Sequence, residues 1–191
     1  GSRLNEMASL KLDEIECVDG HWQIQIKWND IRRLKTRSST RVLPISSELK
    51  RLGLIDYIQA LRAAGEGLLF PELCLESGIG TLGNVFYRTR WLHVAKKLPF
   101  LVRGQANHSF RHTAIDAMKA AGISSEVRAD FAGHVLPSET EGRYSKAHMA
   151  LLREAVETIP KMTDHLDPVP INLLPARIRG PRKARKKDSA E

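Results

Sequence analysis

The pattern of apolar and polar positions near the start of the chain predicts a short helix followed by a small sheet. Residues 4–12 carry apolar side chains at helical spacing. In "HWQIQIKW", residues 21–28, apolar and polar positions alternate, which is typical of a half-buried strand. The stretch "RVLPI", residues 41–45, predicts the returning strand, and Pro44 favours its edge or its end.

Helical periodicity continues through the rest of the chain. Residues 46–65 begin with serine and close with glycine, as a capped helix does. Further helices are predicted over residues 82–98, 108–122, 124–133 and 146–159. In the helix over residues 108–122, the expected core stripe is Phe110, Ala114, Ala117, Met118 and Ala121. We therefore predict a mainly α domain with a small antiparallel sheet near the N-terminus, an α+β fold, over residues 1–165.

Positive charge is concentrated at the end of the chain. The 191 residues carry a net charge of +8, and residues 171–191 supply +5 of it through seven Lys/Arg and two acids. Few apolar groups follow Leu174, so residues 166–191 are predicted to form a basic, disordered tail. Such a tail suits nucleic acid or another polyanion, although a merely solvated terminus has the same composition.

The remaining composition argues against a membrane protein and a disulfide scaffold. No apolar run approaches the ~20 residues of a membrane span, and the start lacks a secretory signal pattern. Cys17 and Cys74 have no C-x-x-C companion, so free thiols are expected rather than a zinc site. We expect a cytoplasmic protein.

The stretch "QANHSFRHTAID" places His108, Arg111 and His112 within five positions at the start of a predicted helix. A metal site would want a carboxylate beside two histidines, and the arginine between them would repel a cation. A histidine next to an arginine instead suits an anionic oxygen, most naturally that of a phosphate. Taken alone, His-x-x-Arg is weak evidence, because a polar helix end gives the same pattern.

Other residues along the chain change these odds. Arg3 lies in "SRLNEM", Lys35 in "LKTRSSTRVLPI", Gly133-His134 at a predicted helix end, and Tyr144 ten residues further on. This ordered set resembles the catalytic domain of the tyrosine recombinases, the phage-integrase family, from about residue 3 to about residue 158. The resemblance implies that family's fold, truncated at its N-terminal end because its first helices are missing. The gap from His134 to Tyr144 is one residue longer than in many members.

The resemblance also implies roles for these residues. Arg3 and Arg111 clamp the non-bridging oxygens of a phosphodiester, and Tyr144 is the nucleophile. His108 accepts or relays its proton, Lys35 protonates the departing 5′ oxygen, and His134 bonds a non-bridging oxygen or holds the tyrosine. Glu6 orients Arg3 by a salt bridge, and His112 is expected to be packed and hydrogen-bonded as part of the scaffold. The residues expected to contact DNA are Arg37, Arg41, Arg143 and Lys146.

The expected activity is site-specific recombination of duplex DNA through a 3′-phosphotyrosine, without metal, cofactor or ATP. The resemblance further implies a homotetramer on DNA, accessory DNA-bending proteins, and a bacterial or phage-encoded, nucleoid-associated protein with no membrane partner. Docking of the last helix on a neighbouring protomer and packing of that helix on its own domain are both open. Two rival functions remain: relaxation of supercoils, as by a type IB topoisomerase, and non-catalytic DNA binding.

Several of these residues also have an ordinary structural interpretation. Arg3 could be an exposed charge, and Lys35 competes with Arg33 and Arg37 for the role in its loop. A histidine that follows a helix-ending glycine, as His134 does, is often only a favourable cap.

Overall fold

The protein is a mixed α+β structure built from helices and one three-stranded antiparallel sheet. The computed structural model describes residues 1–34, 39–73, 80–98, 107–134 and 146–173. The helices are α1 (Leu4–Ala8), α2 (Ser47–Arg51), α3 (Leu54–Ala63), α4 (Leu82–Phe86), α5 (Leu92–Ala95), α6 (Asn107–Ala120), α7 (Ser125–Ala132) and α8 (Lys146–Glu157). A 3₁₀ turn covers Leu12–Glu14, and a π-helical segment covers Tyr87–Trp91. The strands are β1 (Ile15–Val18), β2 (His21–Ile26) and β3 (Arg41–Pro44).

The sheet has the order β1-β2-β3, and its central strand was predicted from the alternation of its residues. Ile24 of β2 lies opposite Ile15 of β1 and opposite Leu43 of β3, so these three buried side chains form one apolar face. Pro44 ends β3 at the sheet edge, as expected. Strand β1 was not predicted, because its four residues are too short to show alternation.

The helical predictions are largely confirmed, with one early end and two interruptions. The helix expected over residues 4–12 ends at Ala8. The helix expected over residues 46–65 is divided into α2 and α3 at Gly53, whose φ of 88° lies in the left-handed region. The helix expected over residues 82–98 runs through α4, the π segment and α5, and the Thr89 hydroxyl there donates to the Val85 carbonyl at 2.7 Å. Ser124 caps α7 and Gly133 ends it, as the sequence predicts.

The predicted core stripe of α6 is wrong at its first and last positions, Phe110 and Ala121, which are both exposed. Phe110 is 58% exposed and packs edge-on against Trp91, with ring centroids 5.7 Å apart. The buried side of α6 instead contains Arg111, Ala114 and Met118. The helix is therefore rotated so that its polar arginine, rather than the neighbouring aromatic ring, faces inward.

The apolar face of α8 packs on the chain's own domain. Leu152, Ala155 and Val156 are buried in the main hydrophobic core. Near the start of α8, His148 Nε2 lies 2.9 Å from Asp130 Oδ2 on α7. Of the two arrangements open for this helix, the structure contains packing within the chain.

The first residues assigned to the C-terminal tail contact the domain. Arg51 of α2 donates to the carbonyls of Thr163 and Leu166, each at 2.9 Å, and Leu173 packs against the core. Residues 174–191, which hold the basic run, lie outside the described residues. Cys17 is a free, exposed thiol. Among the helices that the structure describes, none has both the length and the apolar character to cross a bilayer.

The rotation of α6 can be tested by two alanine substitutions on the same helix. Met118→Ala should lower the free energy of unfolding by about 2–5 kcal/mol, because it empties a fully buried position. Phe110→Ala should lower it by only about 0.5–1.5 kcal/mol, the value of an aromatic edge contact. Urea denaturation measures both, and equal losses would contradict the assigned face.

Candidate active site

The N-terminus of α1 and strand β3 bring two arginines to one buried carboxylate. Arg3 Nη1 lies 3.0 Å from Glu6 Oε1, and the Arg3 backbone N–H donates to Glu6 Oε2 at 2.9 Å. Arg41 Nη2 lies 2.7 Å from Glu6 Oε2. Glu6 is only 3% exposed, so its charge is compensated by these guanidinium groups rather than by water. The predicted salt bridge between Glu6 and Arg3 is confirmed.

The sequence predicted that Arg41 contacts DNA directly, whereas in the structure its side chain lies inside the protein. Its side chain is 6% exposed, and its Nε donates to the Phe131 carbonyl of α7 at 3.0 Å. Its Nη1 also donates to the Ser39 carbonyl at 2.8 Å. With its donors engaged inside the protein, Arg41 ties β3, Glu6 and α7 together and holds the site's geometry.

Gly133, which ends α7, has no side chain, and the Arg41 guanidinium occupies the space beside it. Gly133 has a φ of 68°, which turns the chain out of the helix towards His134. A Cβ atom at Gly133 would lie 2.8 Å from Arg41 Nη1, closer than such atoms approach in proteins. The glycine therefore serves both the left-handed turn and the close approach of the guanidinium.

Arg111 enters the same site from α6 and contacts His134. Its side chain donates to the Gly1 carbonyl at 2.8 Å and to the Ala132 carbonyl. Arg111 Nη2 also lies 3.0 Å from His134 Nε2. Because a guanidinium has donors only, His134 Nε2 must accept this bond, which requires a neutral imidazole. His134 thereby orients Arg111 instead of acting only as a helix cap.

His108 and His112 lie one turn apart on the exposed side of α6. Their ring centroids are 4.8 Å apart and the rings are nearly perpendicular, at 87°. His108 is exposed to solvent. His112 is exposed, which differs from the packed scaffold role expected from the sequence: it contacts His108 and not the core.

The positive charge of the site lowers the pKa values of its histidines. Burial lowers the pKa of His134, and the charges of Arg111 and Arg3 lower it further. The pKa of His108 is lowered by desolvation, by His112 and by the same two arginines. Burial and the neighbouring arginines also lower the pKa of Arg111 to about 10.

The pKa of Glu6 is lowered although the residue is buried. Burial alone would raise its pKa, but hydrogen bonds from Arg41 and Arg3 hold that pKa below the ordinary value. Among the described residues, the guanidinium groups of Arg3 and Arg41 thus pair with one ionised carboxylate, and that of Arg111 contacts His134 nearby. The arrangement carries an excess of positive charge and is suited to an anion.

Five of the predicted site residues cannot be placed. Lys35, Arg37, Arg143 and Tyr144 lie outside the described residues, as does the side chain of Lys146 at the start of α8. The chain that follows Lys35 and Arg37 contacts the site, because Ser39 Oγ accepts from Arg3 Nη1 at 3.1 Å. The chain that follows Tyr144 contacts α7, because His148 pairs with Asp130.

The structure adds residues that the sequence did not single out. Arg32 and Glu14 form a fully buried pair at 2.6 Å beneath α1, and Asp130 pairs with His148 between α7 and α8. No spacing pattern could have found the first pair, because Arg32 stands beside Arg33 in an ordinary polar turn.

Within the described part of the chain, no group of three or more His, Cys, Asp or Glu residues has a geometry that could hold a metal ion. Comparison of the chain with protein-family models, with curated proteins and with solved structures found no match.

The close approach at Gly133 predicts a position-specific loss of stability. Gly122→Ala should cost about 1–2 kcal/mol, because φ is 77° there and only the left-handed backbone is penalised. Gly133→Ala should cost a further ~1–3 kcal/mol, because Arg41 is held by four hydrogen bonds and cannot move aside freely. Urea denaturation compares the two variants, and equal losses would show that Arg41 does yield.

The histidine environment predicts a measurable titration. NMR of the ring protons should give pKa values below 6.5 for His108 and His134, and Arg3→Met should raise both by removing a positive charge. Arg88→Met, an exposed arginine on the π segment, is the control and should change neither.

These lowered pKa values also set the direction of a stability effect. Because folding disfavours the protonated rings, the stability contributed by the two histidines should be present above pH 6.5 and lost as the pH falls below it. A measured pKa of 6.5 or above for either histidine would contradict this account of the site.

Proposed function

We propose that this chain is the catalytic domain of a tyrosine recombinase, which cleaves and rejoins duplex DNA through a 3′-phosphotyrosine. The observation that carries the proposal is that Arg3 and Arg41 pair with the Glu6 carboxylate, while Arg111 contacts His134 nearby. His108 lies on the same helix as Arg111. Among the described residues, the sequence resemblance assigned Arg3, Arg111, His108 and His134 to phosphate chemistry, whereas it gave Arg41 only as a DNA contact. Residues from α1, β3, α6 and α7 approach one another here although they are widely separated in the sequence.

The excess positive charge of the site would favour attack on a phosphodiester in two ways. A phosphodiester is an anion, and the pentacoordinate transition state gathers further negative charge on its non-bridging oxygens. Arg3 is one-third exposed and can offer donors to such an oxygen while Glu6 holds it in place. Arg111 would contribute by exchanging its contact with the Gly1 carbonyl for the second oxygen.

Proton transfer follows from the neutral state of the histidines. Tyr144 Oη attacks the phosphorus, and its proton passes to His108, whose lowered pKa keeps the imidazole free to accept it. The bond from phosphorus to the 5′ oxygen breaks, and Lys35 supplies the proton for the departing hydroxyl. The product retains the ester as phosphotyrosine, so the 5′-hydroxyl of another strand can reverse the step without ATP.

The contact between His148 and Asp130 limits how far Tyr144 can lie from α7. Tyr144 stands four residues before His148, a length of chain that spans at most about 14 Å. His148 in turn contacts Asp130, which lies four residues before His134 on α7. The position of α8 is therefore compatible with a tyrosine that enters the cluster beside His134.

The partners and the setting belong to the same proposal. Duplex DNA would be bound by the arginine cluster and by the basic run beyond residue 173, in a homotetramer on paired sites with accessory DNA-bending proteins. The setting proposed is the bacterial or phage-infected cytoplasm, at the nucleoid. Arg37, Arg143 and Lys146 remain predicted DNA contacts, whereas Arg41 is proposed to position the cluster.

A covalent trap tests the proposal. The full chain is incubated with a library of nicked suicide duplexes of randomised sequence, in EDTA, and protein–DNA adducts are recovered under denaturing conditions. We expect an adduct through a 3′-phosphotyrosine that is lost in Tyr144→Phe. A folded wild-type chain that forms no adduct, or an adduct that persists in Tyr144→Phe, would overturn the assignment.

The same experiment separates the rival functions. Exchange of the trapped strand onto a second duplex favours recombination, and relaxation of supercoiled DNA without exchange favours a topoisomerase. Salt-dependent binding without any covalent product is what a DNA-binding module gives.

Substitution of Arg111 separates catalysis from binding. Arg111→Lys should slow adduct formation about 10²–10³-fold, because a lysine cannot form the forked contact with a developing oxyanion. Duplex binding should weaken much less, since many phosphates contribute to it. Single-turnover cleavage and a binding titration at matched salt measure the two effects, and equal losses in both would reduce Arg111 to a simple DNA contact.

A further inference from the structure

Arg32 is a buried arginine that uses its whole donor set inside the protein. It is 1% exposed, and its guanidinium forms five hydrogen bonds, as many as its N–H groups allow. Nε and Nη2 both donate to the Lys27 carbonyl at the end of β2, at 3.0 and 2.7 Å. Its charge is balanced by Glu14, which is itself fully buried.

The other two bonds of Arg32 hold the helix that carries Arg3. Arg32 Nη1 donates to the carbonyls of Glu6 and Ser9, each at 3.1 Å. These carbonyls lie at the end of α1, where a helix leaves its last C=O groups without partners. Arg32 therefore caps a helix of only five residues, which has little stability of its own.

Glu6 transmits this constraint to the site. Its backbone carbonyl is held by Arg32, while its carboxylate holds Arg3 at 3.0 Å and Arg41 at 2.7 Å. A displacement of the Glu6 backbone would thus move both arginines together. Arg32 itself adds no net charge to the cluster, because it is paired with Glu14 at 2.6 Å.

We infer that Arg32 is a positioning residue that sets the location of the Arg3 guanidinium through the backbone of Glu6. This inference rests on the proposed strand-cleaving function. It assigns to a buried ion pair outside the cluster the task of keeping Arg3 aligned with a non-bridging phosphate oxygen. It predicts a defect in the cleavage step and not in DNA binding.

The test compares two scissile groups in the same nicked duplex. One is the normal phosphodiester. The other is a methylphosphonate, in which a methyl group replaces one non-bridging oxygen, so the group is neutral and depends less on an arginine clamp. Arg32→Lys keeps the charge next to Glu14 but cannot reach all of its carbonyl partners.

We expect Arg32→Lys to slow single-turnover cleavage of the phosphodiester about 10- to 100-fold, the effect of misplacing a catalytic group by about 1 Å. On the methylphosphonate, the slowing caused by Arg32→Lys should be smaller. The slowing caused by Arg3→Ala should also be smaller on that substrate. Binding of the intact duplex should be nearly unchanged.

Two further variants separate positioning from general destabilisation. Asn29 Nδ2 donates to the Glu14 carboxylate at 3.2 Å, so Asn29→Ala removes a weaker contact of the same network. It should slow cleavage of the phosphodiester less than Arg32→Lys does, and again less on the methylphosphonate. Arg62→Lys disturbs another arginine that donates to two backbone carbonyls, those of Leu12 and Ile15, without touching Glu6. It should change neither cleavage rate.

Each contrary outcome has a distinct meaning. Wild-type rates in Arg32→Lys would overturn the inference and leave the proposed function intact. Equal slowing on both substrates, matched by Arg62→Lys, would make Arg32 merely structural and would also overturn it. A folded wild-type chain that cleaves neither substrate would overturn the proposed function, and the inference with it.

Discussion

The architecture of the cluster depends on one buried carboxylate, that of Glu6. It is almost inaccessible to solvent and is hydrogen-bonded by Arg3 from its own helix and by Arg41 from β3. Removing one partner from such a buried pair typically costs about 3–5 kcal/mol, because the remaining charge has neither water nor a counter-ion. Arg41 carries the connection onward to the Phe131 carbonyl on α7. A short helix, a strand end and a helix end are thereby fixed relative to one another.

The same arrangement explains why the site is electropositive. Glu6 balances one guanidinium, whereas Arg3, Arg41 and Arg111 supply three. Desolvation, followed by this excess of charge, lowers the pKa values of His108 and His134, so both imidazoles favour the neutral form. A neutral histidine beside uncompensated arginines can accept a proton while the arginines stabilise an anion. This combination, rather than any single residue, is what supports the proposed phosphoryl transfer.

Sequence patterns predicted the fold class and most helices, because periodicity and capping residues are local signals. They also identified Arg3, Glu6, Arg111 and His134, which the structure brings together. They failed where long-range packing decides. The inward face of α6 contains Arg111 and not Phe110, since a buried partner for the guanidinium exists only after α7 has docked. The same limit hid Arg32, because its partners Glu6, Ser9 and Glu14 lie 18 to 26 residues before it in the sequence.

The pKa of the Glu6 carboxyl tests most directly whether this one carboxylate holds the two arginines. Carbon-detected NMR can follow its titration, with Glu6→Gln to assign the signal. The account predicts a pKa below 4.5, so that the stabilisation is complete at higher pH and is lost as the pH falls through the folded value. A pKa at or above 4.5 would mean that burial outweighs the arginine contacts, and would contradict the shared carboxylate as the centre of the site.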